Sequence, residues 1–101
     1  MLNDAGSFCI PFSHPCLPGH FPGRPVVPGV VLLDEAYALV CLAEPRLPPL
    51  RGFSAVKFMR PIFPGQYVSV QWEQTAPGRL AFILRVEGLA AVRGTALMAM
   101  P

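Results

Sequence analysis

Residues 19–29 read GHFPGRPVVPG, and residues 30–36 continue as VVLLDEA. The first part places three glycines and three prolines around one histidine, His20, and the second part ends near two carboxylates, Asp34 and Glu35. Proline fixes φ and glycine permits positive φ, so this alternation prescribes one backbone path and not a flexible linker. We interpret the stretch as a rigid device that positions a histidine relative to an acidic side chain.

The composition indicates one domain that associates with other chains. The 101 residues suit a single domain spanning residues 1–101. The chain is 52% hydrophobic and only 14% charged, whereas an average domain carries about 25% charged residues. Because so short a chain buries its apolar surface incompletely, we expect a homodimer or a higher oligomer. The net charge of +2 is too small to indicate nucleic-acid binding.

Other features of the composition point away from metals and membranes. Cys9, Cys16 and Cys41 show no CxxC spacing, so we expect neither a disulfide framework nor a metal site. No apolar run reaches about 18 residues, so no membrane span is expected. The polar start of the chain is unlike a secretory signal, and free thiols suit a reducing compartment. We therefore expect a cytoplasmic location.

Hydrophobic periodicity predicts an α+β fold. Residues 30–43 form an unbroken run that is apolar on nearly every side, which predicts a buried helix ending before Pro45. Alternating patterns predict five strands, the last four in an antiparallel meander, at residues 7–12, 51–59, 66–74, 80–87 and 89–100. One apolar helix and one sheet are best satisfied if the sheet wraps the helix, which is the hot-dog architecture.

Two details of this reading concern the strands. Residues 1–6 are expected to form a short mobile segment before the first strand. Strict alternation along residues 51–59 places Phe53 and Phe58 on opposite faces of the sheet.

The residue types around the Pro-Gly stretch suit acid–base chemistry. A histidine such as His20 accepts protons near neutral pH. Burial favours the neutral form of a carboxyl group, so a carboxyl on an apolar helix becomes a proton donor. Asp34 and Glu35 lie about 100° apart around a helix, so one of them at most faces a given pocket. One base and one acid suit the removal or addition of water across a carbon–carbon bond.

The helix N-terminus at Gly29 adds an electrostatic element. The first N–H groups of a helix have no partner within it, and the helix dipole is positive at this end. Such a site stabilises charge on a carbonyl oxygen. Structural roles stay open at this point: His20 bonded to a loop carbonyl, Asp34 bonded to a backbone group or to Arg60, and Glu35 facing solvent.

Residues 19–30, followed by Asp34, resemble the signature of the 3-hydroxyacyl-[acyl carrier protein] dehydratases of fatty-acid synthesis. The spacing of fourteen residues from His20 to Asp34 is that of the family. Residues 56–65, VKFMRPIFPG, resemble its second recurring segment. The resemblance covers about residues 8–100. It implies a hot-dog fold working as a dimer, with active sites at the subunit interface.

The resemblance also implies roles for individual residues. His20 would be the base, the partner protomer's Asp34 the acid, the Gly29 N–H the holder of the thioester carbonyl, and the Val26 carbonyl the group that orients the histidine. No cofactor and no metal are implied. The substrate would arrive on the phosphopantetheine of an acidic acyl carrier protein. A basic patch suits such a partner, and the sequence offers Arg46, Arg51, Lys57 and Arg60.

Several departures from the family pattern leave alternatives open. Aspartate at the acid position is similar to the branch that makes and isomerises decenoyl thioesters, whereas the commoner branch has glutamate. The short N-terminal part is similar to dehydratases of aryl polyene or polyketide assembly. Ala38 stands where glutamine is frequent, and Glu35 where a small residue is usual, so Glu35 is a second candidate acid. The competing functions are a hot-dog acyl thioesterase and an inactive partner subunit of a heterodimeric dehydratase.

Overall fold

The computed structural model describes residues 1–15 and 25–99; residues 16–24, with His20 among them, and residues 100–101 lie outside the described part. The described part contains one helix and five strands: β1 (Asn3–Cys9), α1 (Gly29–Ala43), β2 (Leu50–Phe58), β3 (Tyr67–Ala76), β4 (Arg79–Val86) and β5 (Leu89–Met98). The strands form one antiparallel sheet. The predicted α+β hot-dog fold is thereby confirmed.

The helix begins directly after Pro28, whose extended backbone (φ −60°, ψ 143°) turns the Pro-Gly stretch into it. It buries one narrow stripe, Leu32, Ala36 and Val40, spaced four residues apart. Val30 is 65% exposed and Leu42 78% exposed. A single chain therefore buries only part of the apolar surface of this helix. One sheet covers one helix face, and the opposite face stays apolar and open.

The strand order is β1-β3-β4-β5-β2. Strands β3, β4 and β5 form the expected meander, but β2 pairs with β5 and not with β3, so the four-strand meander is wrong. The connector of residues 59–66 crosses the end of the sheet. Met59 N–H donates to the Ala91 carbonyl (2.8 Å), and Gly65 N–H donates to the Ile10 carbonyl (2.9 Å). Gly65 has φ +86°, which explains the glycine at this turn.

Strand β1 begins at Asn3 and ends at Cys9, so the predicted strand at residues 7–12 and the mobile segment before it are both wrong. β1 is an edge strand paired with β3, and polar residues are tolerated there because one side faces solvent. The Asn3 side chain donates to the Trp72 carbonyl (3.3 Å), and the N-terminal amine pairs with Glu73 (3.2 Å). These contacts hold the start of β1 against β3, although the sequence there lacks a hydrophobic pattern.

A β-bulge changes the alternation along β2. Ser54 faces Thr95 and Lys57 faces Arg93, so two residues of β2 oppose the single residue Gly94. Ala55 adopts φ +53° at the bulge. Beyond it the faces exchange, and Phe53 and Phe58 both point toward the helix side, as their contacts below show. The expectation that they lie on opposite faces is wrong.

The hydrophobic core lies between the helix stripe and the concave face of the sheet. Its central positions on β3 and β4 follow the predicted alternation and are fully enclosed: Val68, Val70, Leu80 and Leu84. The helix packs closest to β1 and β3, so its backbone stays farther from β2. Among the described residues, no helix is both long enough and apolar enough to cross a membrane.

Candidate active site

The two segments singled out by the sequence meet at the N-terminus of α1. Val27 N–H donates to the Ile62 carbonyl (2.9 Å), which joins the end of the Pro-Gly stretch to the connector after β2. Both residues are buried, Val27 at 2% and Ile62 at 2% exposure. A hydrogen bond between two buried chain segments fixes their spacing, since neither group has water as an alternative partner. The connector therefore supports the first turn of the helix.

The first helical turn presents backbone donors. Val31 and Leu32 both donate to the Pro28 carbonyl (3.1 and 3.2 Å). No side chain of residues 1–15 or 25–99 caps the helix, and its first turn holds no acidic residue. Helix geometry gives the N–H groups of Gly29 and Val30 no acceptor within the helix. This end of α1 therefore combines two amide donors with the positive end of the dipole, without a built-in anion to compete for them.

A cleft of about 380 Å³ opens beside these amides. Its walls are the residues before and in the first helical turn and the residues that end β2 and follow it: Val26, Val27, Pro28, Gly29, Leu32, Phe58, Met59, Arg60, Pro61 and Ile62. Nine of these ten side chains are apolar or absent, and Arg60 is the charged one. Val26 and Gly29, the two predicted substrate-binding residues, thus share one cleft, while their predicted roles stay predictions.

The ring of Phe58 lies over Gly29. A Cβ atom placed on Gly29 would come within 2.6 Å of the Phe58 Cζ and 2.8 Å of its Cε1. The space at the Gly29 Cβ position is thus occupied by this ring. Gly29 is therefore needed for the close approach of Phe58 to the helix end, and Phe58 forms the wall of the cleft next to the amides.

The predicted acid lies elsewhere on the helix. Asp34 is exposed and is not a wall of the cleft, and Glu35 is half-buried. Within residues 1–15 and 25–99 neither carboxylate forms an ion pair or a hydrogen bond. The sequence predicted a buried carboxyl at this position, but Asp34 is exposed in the single chain. Asp34 instead lies on the open apolar face of α1, where a second chain would have to supply its surroundings.

The other predicted site residues divide between described and undescribed positions. His20, the predicted base, lies outside the described residues. Ala38 is one turn beyond Asp34 on the same open face and is exposed. The sequence did not predict that Phe58 and Ile62 form a wall of the cleft. The β-bulge turns Phe58 inward, and it contains no glycine that would mark a bulge in the sequence. The only sequence signal of this wall was the resemblance of residues 56–65 to a recurring family segment.

The basic residues do not form one patch. Arg46 pairs with Glu44 beyond the helix C-terminus (3.4 Å). Arg51 and Lys57 lie near opposite ends of β2, about 20 Å apart along the strand. Lys57 is instead opposite Arg93 of β5, and Arg60 lines the cleft. Of these basic residues, Arg60 is therefore the one that lines the cleft.

An aromatic cluster stands farther along the helix. The Phe53 ring meets the Tyr37 ring edge-on (centroids 6.4 Å apart, 88°) and the Phe82 ring likewise (5.9 Å, 78°). The Tyr37 hydroxyl is buried and has no hydrogen-bond partner among the residues that the structure describes. Burial raises the pKa of this phenol above its usual 10.0, and the nearby Cys41 thiol raises it further without completing a hydrogen bond.

The described residues do not suggest a metal centre. Within residues 1–15 and 25–99, no group of three or more His, Cys, Asp and Glu side chains is placed to share an ion. What the cleft offers is the Gly29 backbone donor in apolar surroundings. This arrangement suits binding of a carbonyl oxygen on an otherwise apolar molecule.

Comparison with known sequences gives a family. Residues 4–95 match the family model described as ApeI-like, ApeI dehydratase. The chain is 33% identical over 91 residues to the 3-hydroxyacyl-[acyl-carrier-protein] dehydratase FabZ of Thermus thermophilus, covering 78% of this chain and 64% of that protein. It is 28% identical over 102 residues to the FabZ of Acetivibrio thermocellus, covering 90% of this chain and 70% of that protein. The chain thus spans about two thirds of the length of these relatives.

Comparison with solved structures supports the fold. The dehydratase heterocomplex ApeI:P from Xenorhabdus doucetiae contains a similar chain (TM-score 0.79, 20% identity), with 92% of this chain and 83% of that one covered. An uncharacterized protein from Erwinia carotovora subsp. atroseptica is similar as well (TM-score 0.77, 22% identity, 93% and 80% covered). At these identities the likeness concerns the hot-dog fold alone.

Proposed function

Since the chain belongs to the ApeI-like dehydratase family, we propose that it removes water from 3-hydroxyacyl thioesters carried on an acyl carrier protein and forms trans-2-enoyl thioesters. The observation that carries the proposal is the apolar cleft at the start of α1, where the Gly29 amide stands without an intrahelical acceptor. A thioester is an apolar ligand with one carbonyl oxygen, which matches that combination.

The chemistry assigns one role to each group. The thioester carbonyl accepts a hydrogen bond from the Gly29 N–H, which stabilises negative charge when a proton leaves C2. His20 takes that proton, while Asp34 in its neutral form donates a proton to the hydroxyl at C3. The C3–O bond breaks, water departs, and the electrons of the C2–H bond form the double bond. The Val26 carbonyl accepts a hydrogen bond from the His20 ring and sets which nitrogen acts as the base.

A second chain completes this site. Asp34 is exposed on a helix face that also exposes Val30 and Leu42, so an apolar partner surface would bury all three. Strand β2 is an edge of the sheet, which leaves its outer backbone groups available for pairing. A second copy docked here brings its own His20 to this Asp34.

The cleft entrance suits an acidic carrier protein. Arg60 lines the cleft, and Lys57 and Arg93 are exposed neighbours across β2 and β5. The Arg60 cation at the opening attracts a negatively charged surface, and the exposed pair Lys57 and Arg93 adds to the positive field of the chain. Since this effect is screened, the KM for a carrier-bound substrate should rise with ionic strength, while that for a pantetheine thioester should not.

The decisive test supplies crotonyl thioester and follows two signals, the loss of conjugated absorbance and the release of free thiol. Hydration without thiol release supports the dehydratase. Thiol release alone would instead identify a thioesterase, and neither signal would identify an inactive partner subunit.

Variants locate the chemistry. His20→Ala and Asp34→Asn should each lower kcat by about 10²-fold or more, with the fold and the oligomeric state unchanged. Glu35→Gln is the matched control and should retain activity. If Glu35→Gln is inactive while Asp34→Asn is active, the acid has been assigned to the wrong residue. A monomer by light scattering at micromolar concentration would exclude the shared site.

A further inference from the structure

We propose, on the basis of the dehydratase function above, that Phe53 closes the inner end of an acyl-chain groove between α1 and β2 and thereby limits the length of the acyl chain. The groove starts at the cleft and follows the helix inward. Its occupant is the apolar tail of the thioester substrate.

The geometry of the helix outlines the groove. Gly29 at the cleft and Tyr37 at the inner end are eight residues apart, about 12 Å along the axis. Leu33 and Ala36 lie between them on the same side of the helix. Because α1 packs closest to β1 and β3, the space toward β2 is spanned by side chains and not by close backbone packing.

Strand β2 forms the opposite wall. Phe58 lies against Gly29 at the outer end, and Phe53 lies against Tyr37 at the inner end. Val56 stands between them: its Cγ2 atom is 3.0 Å from the Cβ position of Gly94, beside Phe82. The side chains of Phe53, Val56 and Phe58 all face the helix, because the bulge at Ala55 reverses the alternation of β2. The bulge therefore builds a continuous apolar wall from the cleft to Phe53.

The inner end of the groove is narrow and apolar. Next to Phe53 there remains a void of about 10 Å³, lined by Leu33, Ala36, Tyr37, Val40, Phe53, Leu80 and Phe82. A void of this size is at or below the limit for one water molecule, and its lining offers no polar surface to hold one. The Phe53 ring, braced edge-on by Tyr37 and Phe82, occupies the position that a longer tail would need.

The test compares short and long tails on one protein. Unreactive thioether analogues of butyryl- and decanoyl-pantetheine are titrated by calorimetry into the full chain, Phe53→Ala and Phe53→Leu. Hydration of crotonyl and decenoyl thioesters is measured in parallel. In Phe53→Ala the preference for the long chain should rise at least about tenfold in both assays, since even one methylene fitted into an apolar pocket is worth roughly tenfold. Phe53→Leu should raise the preference for the long chain by a smaller factor. This variant provides the test if Phe53→Ala does not fold.

Phe8→Ala is the matched control. Phe8 is a half-buried phenylalanine packed against the core from β1, away from the groove. Its removal should leave the chain-length preference unchanged. The proposal is overturned if folded Phe53 variants keep the preference of the unmodified chain, or if Phe8→Ala shifts it as much. If no thioester is hydrated but the binding preference still shifts, the result supports the groove and refutes the dehydratase function.

Discussion

Replacing Gly29 by alanine tests how the cleft is built. The new Cβ atom would stand 2.6 Å from the Phe58 Cζ and 2.8 Å from its Cε1. Carbon atoms prefer separations of about 3.5–4.0 Å, so the ring has to retreat by about 1 Å. Phe58 is 54% exposed, so it can move toward solvent. The contact is with the far end of a side chain and not with backbone.

Two opposing terms set the size of the effect. In a helix interior alanine is favoured over glycine by about 0.8–1 kcal/mol, and this is an upper limit at Gly29, the first residue of α1. Overpacking costs about 1–3 kcal/mol, and an exposed ring that can retreat puts this case at the lower end. The free energy of unfolding of Gly29→Ala should therefore fall by less than about 1 kcal/mol. Its KM for crotonyl thioester should rise, because the displaced ring and the new methyl group narrow the approach to the amides.

A double-mutant cycle with Phe58→Ala measures this contact directly. Urea unfolding is compared for the unmodified chain, the two single variants and the double variant. In the Phe58→Ala background, Gly29→Ala should stabilise the chain by up to about 1 kcal/mol, because only the helix preference remains. Equal effects of Gly29→Ala in both backgrounds, within about 0.5 kcal/mol, would refute the idea that the glycine serves the ring.

Three further predictions concern the sheet and the aromatic cluster. Gly94→Ala should lower the free energy of unfolding by about 2 kcal/mol or more in urea, since its Cβ would press on the Val56 backbone at 3.2 Å and on Phe82 at 2.9 Å; Gly52→Ala, with nothing within 4 Å, is the control. Ala55→Gly should be neutral or stabilising by up to about 1 kcal/mol, because it relieves a left-handed backbone at φ +53°; a loss of stability in urea would contradict the bulge. Burial raises the pKa of Tyr37 in the folded chain above 10.0, so the contribution of its neutral phenol is fully present below pH 10 and is lost as the pH rises further. Tyr37→Phe should remove part of the decline in stability above pH 10, and identical pH profiles for the two proteins would contradict this.

The fold was predictable where side-chain periodicity was decisive. The helix was predicted at residues 30–43 and is found at Gly29–Ala43, and β2 to β4 begin and end within two residues of their predicted positions. The failures share a physical cause. β1 is an edge strand with a polar face, so no hydrophobic alternation marks its start at Asn3. Alternation also says which residues face the core without saying which strand lies beside which, so β2 was placed next to the wrong neighbour.

The site was predictable in its backbone and less so in its side chains. Proline and glycine positions located the helix start, and Val26 and Gly29 indeed line one cleft. The surroundings of Asp34 were not predictable, because a carboxylate on an apolar helix is desolvated only where something covers it. In this chain the sheet covers Leu32, Ala36 and Val40 and leaves Asp34 exposed. What surrounds the acid depends on an assembly that the periodicity of one chain does not contain.

The bulge at Ala55 explains why the two sequence segments depend on each other. A regular strand would turn Phe58 to the outer face of the sheet whenever Phe53 faces inward. The extra residue turns both inward, so one strand supplies Phe58 at the helix N-terminus and Phe53 beside Tyr37. The Val27–Ile62 hydrogen bond then ties the Pro-Gly stretch to the residues that follow that strand. The shape of the cleft thus follows from one inserted residue in β2, and restoring regular pairing there should disturb the cleft even with every residue of the Pro-Gly stretch intact.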